Sequence, residues 1–175
     1  MIAQAQAVLL VICPALLIVA ALKDVTTYTI PNWISLALIA AFFPTALALG
    51  LDISTLGLHA AIGFGALVAG MAMFALGWIG GGDAKVFAAT ALWLGWPASA
   101  TFLLATALAG GVLAVTLLAM RSIRLRPYVS AGPSWLNRLA EPGENVPYGL
   151  AICIGGLAAF PASSLVQALA SAAPL

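Results

Sequence analysis

Asp24 and Asp83 are the residues of this sequence best suited to chemistry, because each carboxylate borders a long apolar stretch. Ionisable groups at membrane depth are costly and mark function by default. If the segments that carry them meet, the two carboxylates cannot both ionise easily, and one proton is shared. One carboxylate then activates water while the other protonates the leaving group. That is the chemistry of an aspartic protease. Each residue also has a plainer reading. Asp24 can pair with Lys23 or simply charge a helix end, and Asp83 before Ala84-Lys85-Val86 suits an N-cap.

The neighbours of each aspartate add detail. Pro31 biases Ile30 away from helix, and Asn32 is a natural cap for the helix that follows. Asp24 is thereby expected at the mouth of its helix, held by a fixed turn. Gly80, Gly81 and Gly82 precede Asp83. A glycine run lets another backbone approach closely, as an extended substrate requires, and Gly80 and Gly82 are candidate positioning residues. Lys85 is a candidate partner for a carboxylate or a substrate carbonyl, or else an anchor at the membrane surface. Other reactive side chains are scarce. His59 reads as a polar interface residue, although intramembrane histidines also relay protons. Cys13 and Cys153 lie in apolar stretches and read as small packing residues. With one histidine and no C-x-x-C pair, the chain offers no zinc ligand set, and neither metal nor cofactor is expected.

The elements that position these residues follow from composition. Of 175 residues, 64% are hydrophobic and 6% charged, against about 25% charged in an ordinary soluble domain. Eleven charges cannot solvate such a globule, and a soluble monomer is excluded. So is disorder, which needs low hydrophobicity. A net charge of +1 gives no footprint for nucleic acid. An all-α, polytopic membrane protein of a single domain over residues 1–175 remains. Residues 1–22, 25–51, 53–82, 86–120 and 145–175 carry no charge. The 86–120 stretch would reach about 52 Å as one helix, against a bilayer core of about 30 Å, and Gly95-Trp96-Pro97 divides it. Six transmembrane helices are expected: Ala5–Leu22, Trp33–Leu51, Thr55–Trp78, Ala84–Trp96, Ala98–Met120 and Pro147–Ala170. The fourth spans only about 20 Å, and a cavity is expected where Gly80-Gly81-Gly82 enters it. The first apolar run lacks a basic n-region and reads as a retained helix.

Six spans put Lys23, Lys85, Arg121, Arg124, Arg126 and Arg138 on one side, which the positive-inside rule makes cytoplasmic. Both termini and the Asp52 turn then face the periplasm, and Asp24 and Asp83 face the cytoplasm. Trp33, Trp78, Trp96 and Tyr148 fall at helix ends, where aromatic belts form. The hydrophilic stretch 121–146 reads as a cytoplasmic loop. It serves either as a topology anchor with some attraction to anionic lipid or as a docking loop with Trp135 and Leu136 at the interface.

At these residues the sequence resembles the type IV prepilin peptidases, a GxGD class of intramembrane aspartic proteases. The resemblance rests on Asp24 with Ile30-Pro31-Asn32, on Gly80-Gly81-Gly82-Asp83-Ala84-Lys85, and on the late Val146-Pro147-Tyr148-Gly149. It implies that Asp24 and Asp83 are the catalytic pair. It further implies that the protein removes the basic leader from pilin-like precursors in the bacterial inner membrane, on the cytoplasmic side, beside pilus-assembly machinery. Larger members carry paired C-x-x-C motifs linked to N-methylation. This chain lacks them and is similar to the short subgroup serving tight-adherence (Flp-type) pili, so methyltransferase activity is not expected. Two other classes compete. One is a proton- or cation-coupled transporter component, against which stand the absence of a clear inverted repeat and the placing of both aspartates toward one face. The other is a non-catalytic pilus-assembly scaffold, which has no need of Asp83 beside glycines.

Overall fold

The computed structural model describes residues 2–122, 137, 139, 141 and 145–172. Within them the chain is helical throughout: α1 (Ile2–Thr27), α2 (Asn32–Ala48), α3 (Ile53–Ala75), α4 (Gly81–Leu94), α5 (Ala98–Met120), α6 (Tyr148–Ala159), a 3-10 turn (Phe160–Ala162) and α7 (Ser164–Ala172). Four segments are long and apolar enough to cross a bilayer: Gln4–Thr27, Ile53–Ala75, Ala98–Met120 and Tyr148–Ser171. α2 is a shorter apolar helix. The protein is a polytopic membrane protein. One face of α5 carries this plainly, for Leu104, Leu108, Val112, Val115 and Leu118 all stand exposed. A contiguous apolar surface of that kind belongs against lipid rather than water.

The core sits around α4. From Val86 to Leu94 all its residues but Phe87 are buried, so this short helix is the one the others wrap. It packs most extensively on α3. Two glycines on α3, two turns apart, allow this approach. A Cβ on Gly63 would lie 2.9 Å from Leu92 Cβ, and one on Gly70 would lie 3.1 Å from Ala84 Cβ. With no hydrophobic drive between helices in lipid, small residues that bring backbones together are the usual means of packing. On its other side α4 is tied to α2, where Trp93 Nε1 donates to the Leu38 carbonyl at 2.8 Å.

Four expectations about helix limits are corrected. α1 does not end at Leu22 but runs to Thr27. The Thr26 and Thr27 hydroxyls return to the Leu22 and Lys23 carbonyls at 2.6 and 2.8 Å, which carries the last turn onward. Asp24 therefore lies inside the helix instead of at its mouth. α4 begins at Gly81, with Gly80 as its cap, so Asp83 is the third helical residue and not the cap. The last helix is not continuous over Pro147–Ala170. It breaks at Phe160–Ala162, because Pro161 has no N–H to continue the ladder and its ring crowds the preceding turn. Pro31, not Asn32, caps α2.

The hydrophilic stretch 121–146, with Arg124, Arg126, Trp135, Leu136 and Arg138, lies largely outside the described residues. Arg121 is described, and its guanidinium donates to the Leu139 carbonyl at 3.0 Å and the Asn145 carbonyl at 3.3 Å. Trp33, Trp78 and Trp96 are exposed at helix ends, and Cys13 and Cys153 are buried free thiols.

Candidate active site

The end of α1, the start of α4 and the start of α6 converge. α1 stops because Tyr28 takes a left-handed backbone conformation (φ +54°), unusual for a residue with a side chain. Its N–H closes the last turn on the Asp24 carbonyl at 2.8 Å. The chain then turns through Thr29 and Ile30 to Pro31, whose fixed φ suits the start of α2. Asp24, the 28–30 turn and the 80–83 run line one cavity of about 240 Å³. Asp24 and Asp83 are both buried, at 5% and 7% exposure.

A backbone amide donates to each carboxylate. Asp24 Oδ2 accepts from the Gly149 N–H at 2.7 Å, across 125 residues of sequence. Asp83 Oδ2 folds back to accept the cap N–H of Gly80 at 3.0 Å. A side chain at Gly80 would prevent this, since its Cβ would meet Asp83 Oδ2 at 2.8 Å. The second oxygen of Asp83, Oδ1, is buried with no hydrogen-bond partner. Asp83 also lies within reach of the Asp24 charge and of the Gly149 amide. The pair is thus electrostatically coupled, and among the described residues neither carboxylate faces a cation.

The other expected site residues divide. Ile30 is buried and is the packing centre of the site, between Gly82 and Gly149. A Cβ on Gly82 would lie 3.1 Å from Ile30 Cβ and 3.2 Å from its carbonyl, so the backbone that approaches Gly82 here is the chain's own. Lys85 does not turn to the aspartates. Its Nζ donates to Asn32 Oδ1 at 2.9 Å, which ties α4 to α2. Both residues line a larger cavity of about 730 Å³ between α2, α3 and α4. The residues that line that cavity are mostly apolar and include neither aspartate. Gly149 is the site residue that reasoning about side chains passes over, since it acts through its amide. The one signal was Pro147-Tyr148-Gly149 at a helix start.

His59 corrects an expectation. It is no interface residue but 1% exposed. Nδ1 lies 2.6 Å from the Leu92 carbonyl and Nε2 lies 2.6 Å from Ser164 Oγ. A carbonyl only accepts, so Nδ1 carries the hydrogen, and Nε2 pairs with the Ser164 hydroxyl. The ring stacks on Phe42 at 5.3 Å between centroids. Asp52 caps α3 at the same end of the bundle. It accepts from the Ser54 hydroxyl (2.6 Å), the Thr55 N–H (2.8 Å) and the Thr55 hydroxyl (2.9 Å). Those donors, the Ser54 hydroxyl foremost, hold its carboxyl down to about 2. Among the described residues, no three of His, Cys, Asp and Glu gather as metal ligands do.

No curated protein and no solved structure matches the chain. The model of the type IV leader peptidase family matches residues 11–115, a span that holds both buried aspartates. The chain belongs to the type IV leader peptidase family.

Proposed function

We propose that the protein is an aspartic endopeptidase that removes the leader from pilin-like precursors at the cytoplasmic face of the bacterial inner membrane, with Asp24 and Asp83 as its catalytic pair. The observation that carries this reading is the meeting of two buried carboxylates from separate helices in one cavity. Each is anchored by a backbone amide, and one oxygen of Asp83 has no hydrogen-bond partner. Two such groups in a low-dielectric site hold one proton between them. The ionised member takes a proton from water, whose oxygen adds to the scissile carbonyl carbon. The protonated member gives its proton to the departing amine nitrogen as the C–N bond breaks. Gly80 and Gly82 shape the cavity, Ile30 and Pro31 fix the turn beside it, and Asn32 with Lys85 holds α2 against α4.

The membrane arrangement in this reading has six spans, with α2 and α4 as the short ones and the 148–171 segment as the last. Lys23, Lys85 and Arg121 lie at the end of the bundle that holds the aspartates, which puts that end in the cytoplasm and both termini in the periplasm. The substrate is then a membrane-tethered precursor whose basic leader lies in the cytoplasm. The reading is tested with purified protein in detergent and a pilin-like precursor carrying a basic leader, followed by intact mass. The expected product is the precursor shortened by its leader at one bond. A precursor that stays intact under conditions where the enzyme is folded overturns the proposal.

A further inference from the structure

We propose that Gly149 is a positioning residue that keeps Asp24 ionised as the base of the pair and leaves the shared proton on Asp83 Oδ1. This rests on the aspartic-protease reading above and assigns the roles within it.

The first observation is the geometry at α6. The Gly149 N–H belongs to the first turn of that helix, where amides have no intrahelical acceptor. It donates to Asp24 Oδ2 at 2.7 Å, and an amide donor favours the ionised form of the carboxylate it bonds. The positive end of the α6 dipole favours negative charge at the same place. The absence of a side chain is what allows the approach. A Cβ on Gly149 would sit 2.9 Å from Asp24 Cβ, from Asp24 Oδ2 and from Ile30 Cδ1. Ile30 Cδ1 can swing aside, but Asp24 Cβ moves only if α1 moves. Even a methyl group therefore pushes α6 off α1 and stretches the bond.

The second observation concerns the other carboxylate, which the Gly149 amide reaches less directly than it reaches Asp24. Asp83 Oδ1 is buried and has no hydrogen-bond partner, while Oδ2 has the Gly80 amide. A buried oxygen bearing charge without a donor is costly. A hydroxyl at that oxygen removes the charge and supplies a proton to give. The pair is thus asymmetric. Asp24 accepts the proton of water, Asp83 Oδ1–H supplies the proton to the leaving nitrogen, and a transfer from Asp24 to Asp83 afterwards restores the start. Among the described residues no cation competes for this assignment: Lys85 of α4 engages Asn32 of α2, Lys23 of α1 is exposed, and Arg121 of the α5 end donates to the Leu139 and Asn145 carbonyls. Tyr28 lines the same cavity from the α1–α2 turn, and Tyr148 precedes Gly149 in α6.

The test is the pH profile of precursor cleavage by Gly149→Ala in the full-length protein. Gly111→Ala on α5 is the control, since a Cβ there meets nothing within 4 Å. An amide donor favours the charged carboxylate, so weakening it lets protonation persist to higher pH. The expected result is a kcat lowered about tenfold or more, with the acid limb moved up by about one pH unit. Gly111→Ala is expected to match the parent in both. A Gly149→Ala enzyme with parental kcat and limb overturns the proposal, and so does a lowered kcat with an unmoved limb, which would mark packing alone. Infrared spectroscopy gives a reading that needs no turnover. The C=O stretch of a protonated carboxyl is expected to vanish in Asp83→Asn and persist in Asp24→Asn, and the reverse pattern overturns the assignment. If the parent cuts no precursor at all, the protease reading fails, while the infrared bands still report on Gly149 and the pair.

Discussion

The two ends of α4 bury polar groups in opposite ways. At the Leu92 end, the His59 ring gives both nitrogens to partners, stacks on Phe42 and bridges α3, α4 and α7. At the Asp83 end, two carboxylates share a cavity with one strong amide bond each and an oxygen with no partner. A saturated polar network rigidifies a fold. A buried carboxylate oxygen without a donor subtracts from stability, and a fold retains such a group where it has another use. The contrast extends to the aspartates. Asp52 has three donors and caps a helix, whereas Asp24 and Asp83 do without such support.

The comparison breaks most visibly at His59. His59→Ala leaves the Leu92 carbonyl and the Ser164 hydroxyl without their partner and opens a space beside Phe42. A loss of about 3 kcal/mol in stability is expected, as for a broken buried network, with cleavage per folded molecule unchanged. Thermal denaturation in detergent alongside precursor turnover checks both. A variant of parental stability with reduced turnover would make the His59 end part of the chemistry and erase the contrast.

The smallest effect is expected at Asp52. Its folded-state carboxyl is held to about 2, below the ordinary value of about 3.9. A depressed carboxylate contributes stability above its unfolded pKa, and that contribution disappears as pH falls through the folded one. Asp52→Asn, which keeps a capping side chain, is therefore expected to flatten the acid dependence of stability between about pH 4 and pH 2. Cleavage at neutral pH should not change. Acid titration of both proteins by circular dichroism reads the first and precursor turnover the second. An Asp52→Asn protein with impaired cleavage would place a working carboxylate at the wrong end of the bundle.

Much of the site was legible because charge is so scarce. Asp24 and Asp83 stand out in a chain with five acidic residues, and Gly80 announces the turn that lets Asp83 bend back on its own cap. What stayed hidden depends on contacts between distant segments. Nothing near His59 indicates Leu92 or Ser164, and no local pattern says that the Gly149 amide meets Asp24. Helix limits failed where side chains decide them: two threonine hydroxyls carry α1 past Asp24, and Pro161 divides the final span. The approach expected at Gly82 was that of a substrate backbone, whereas Ile30 of the same chain lies against it.

The account stands most directly on whether the two carboxylates act as one unit. Cleavage of a pilin-like precursor under single-turnover conditions by Asp24→Asn, Asp83→Asn and the double variant measures this, with each protein shown to accumulate and fold in the membrane. Members of a catalytic unit fail together and not additively. All three variants are expected to lie at the same background level, with the double no worse than either single. Cleavage at the parental rate by either single variant would contradict the pair.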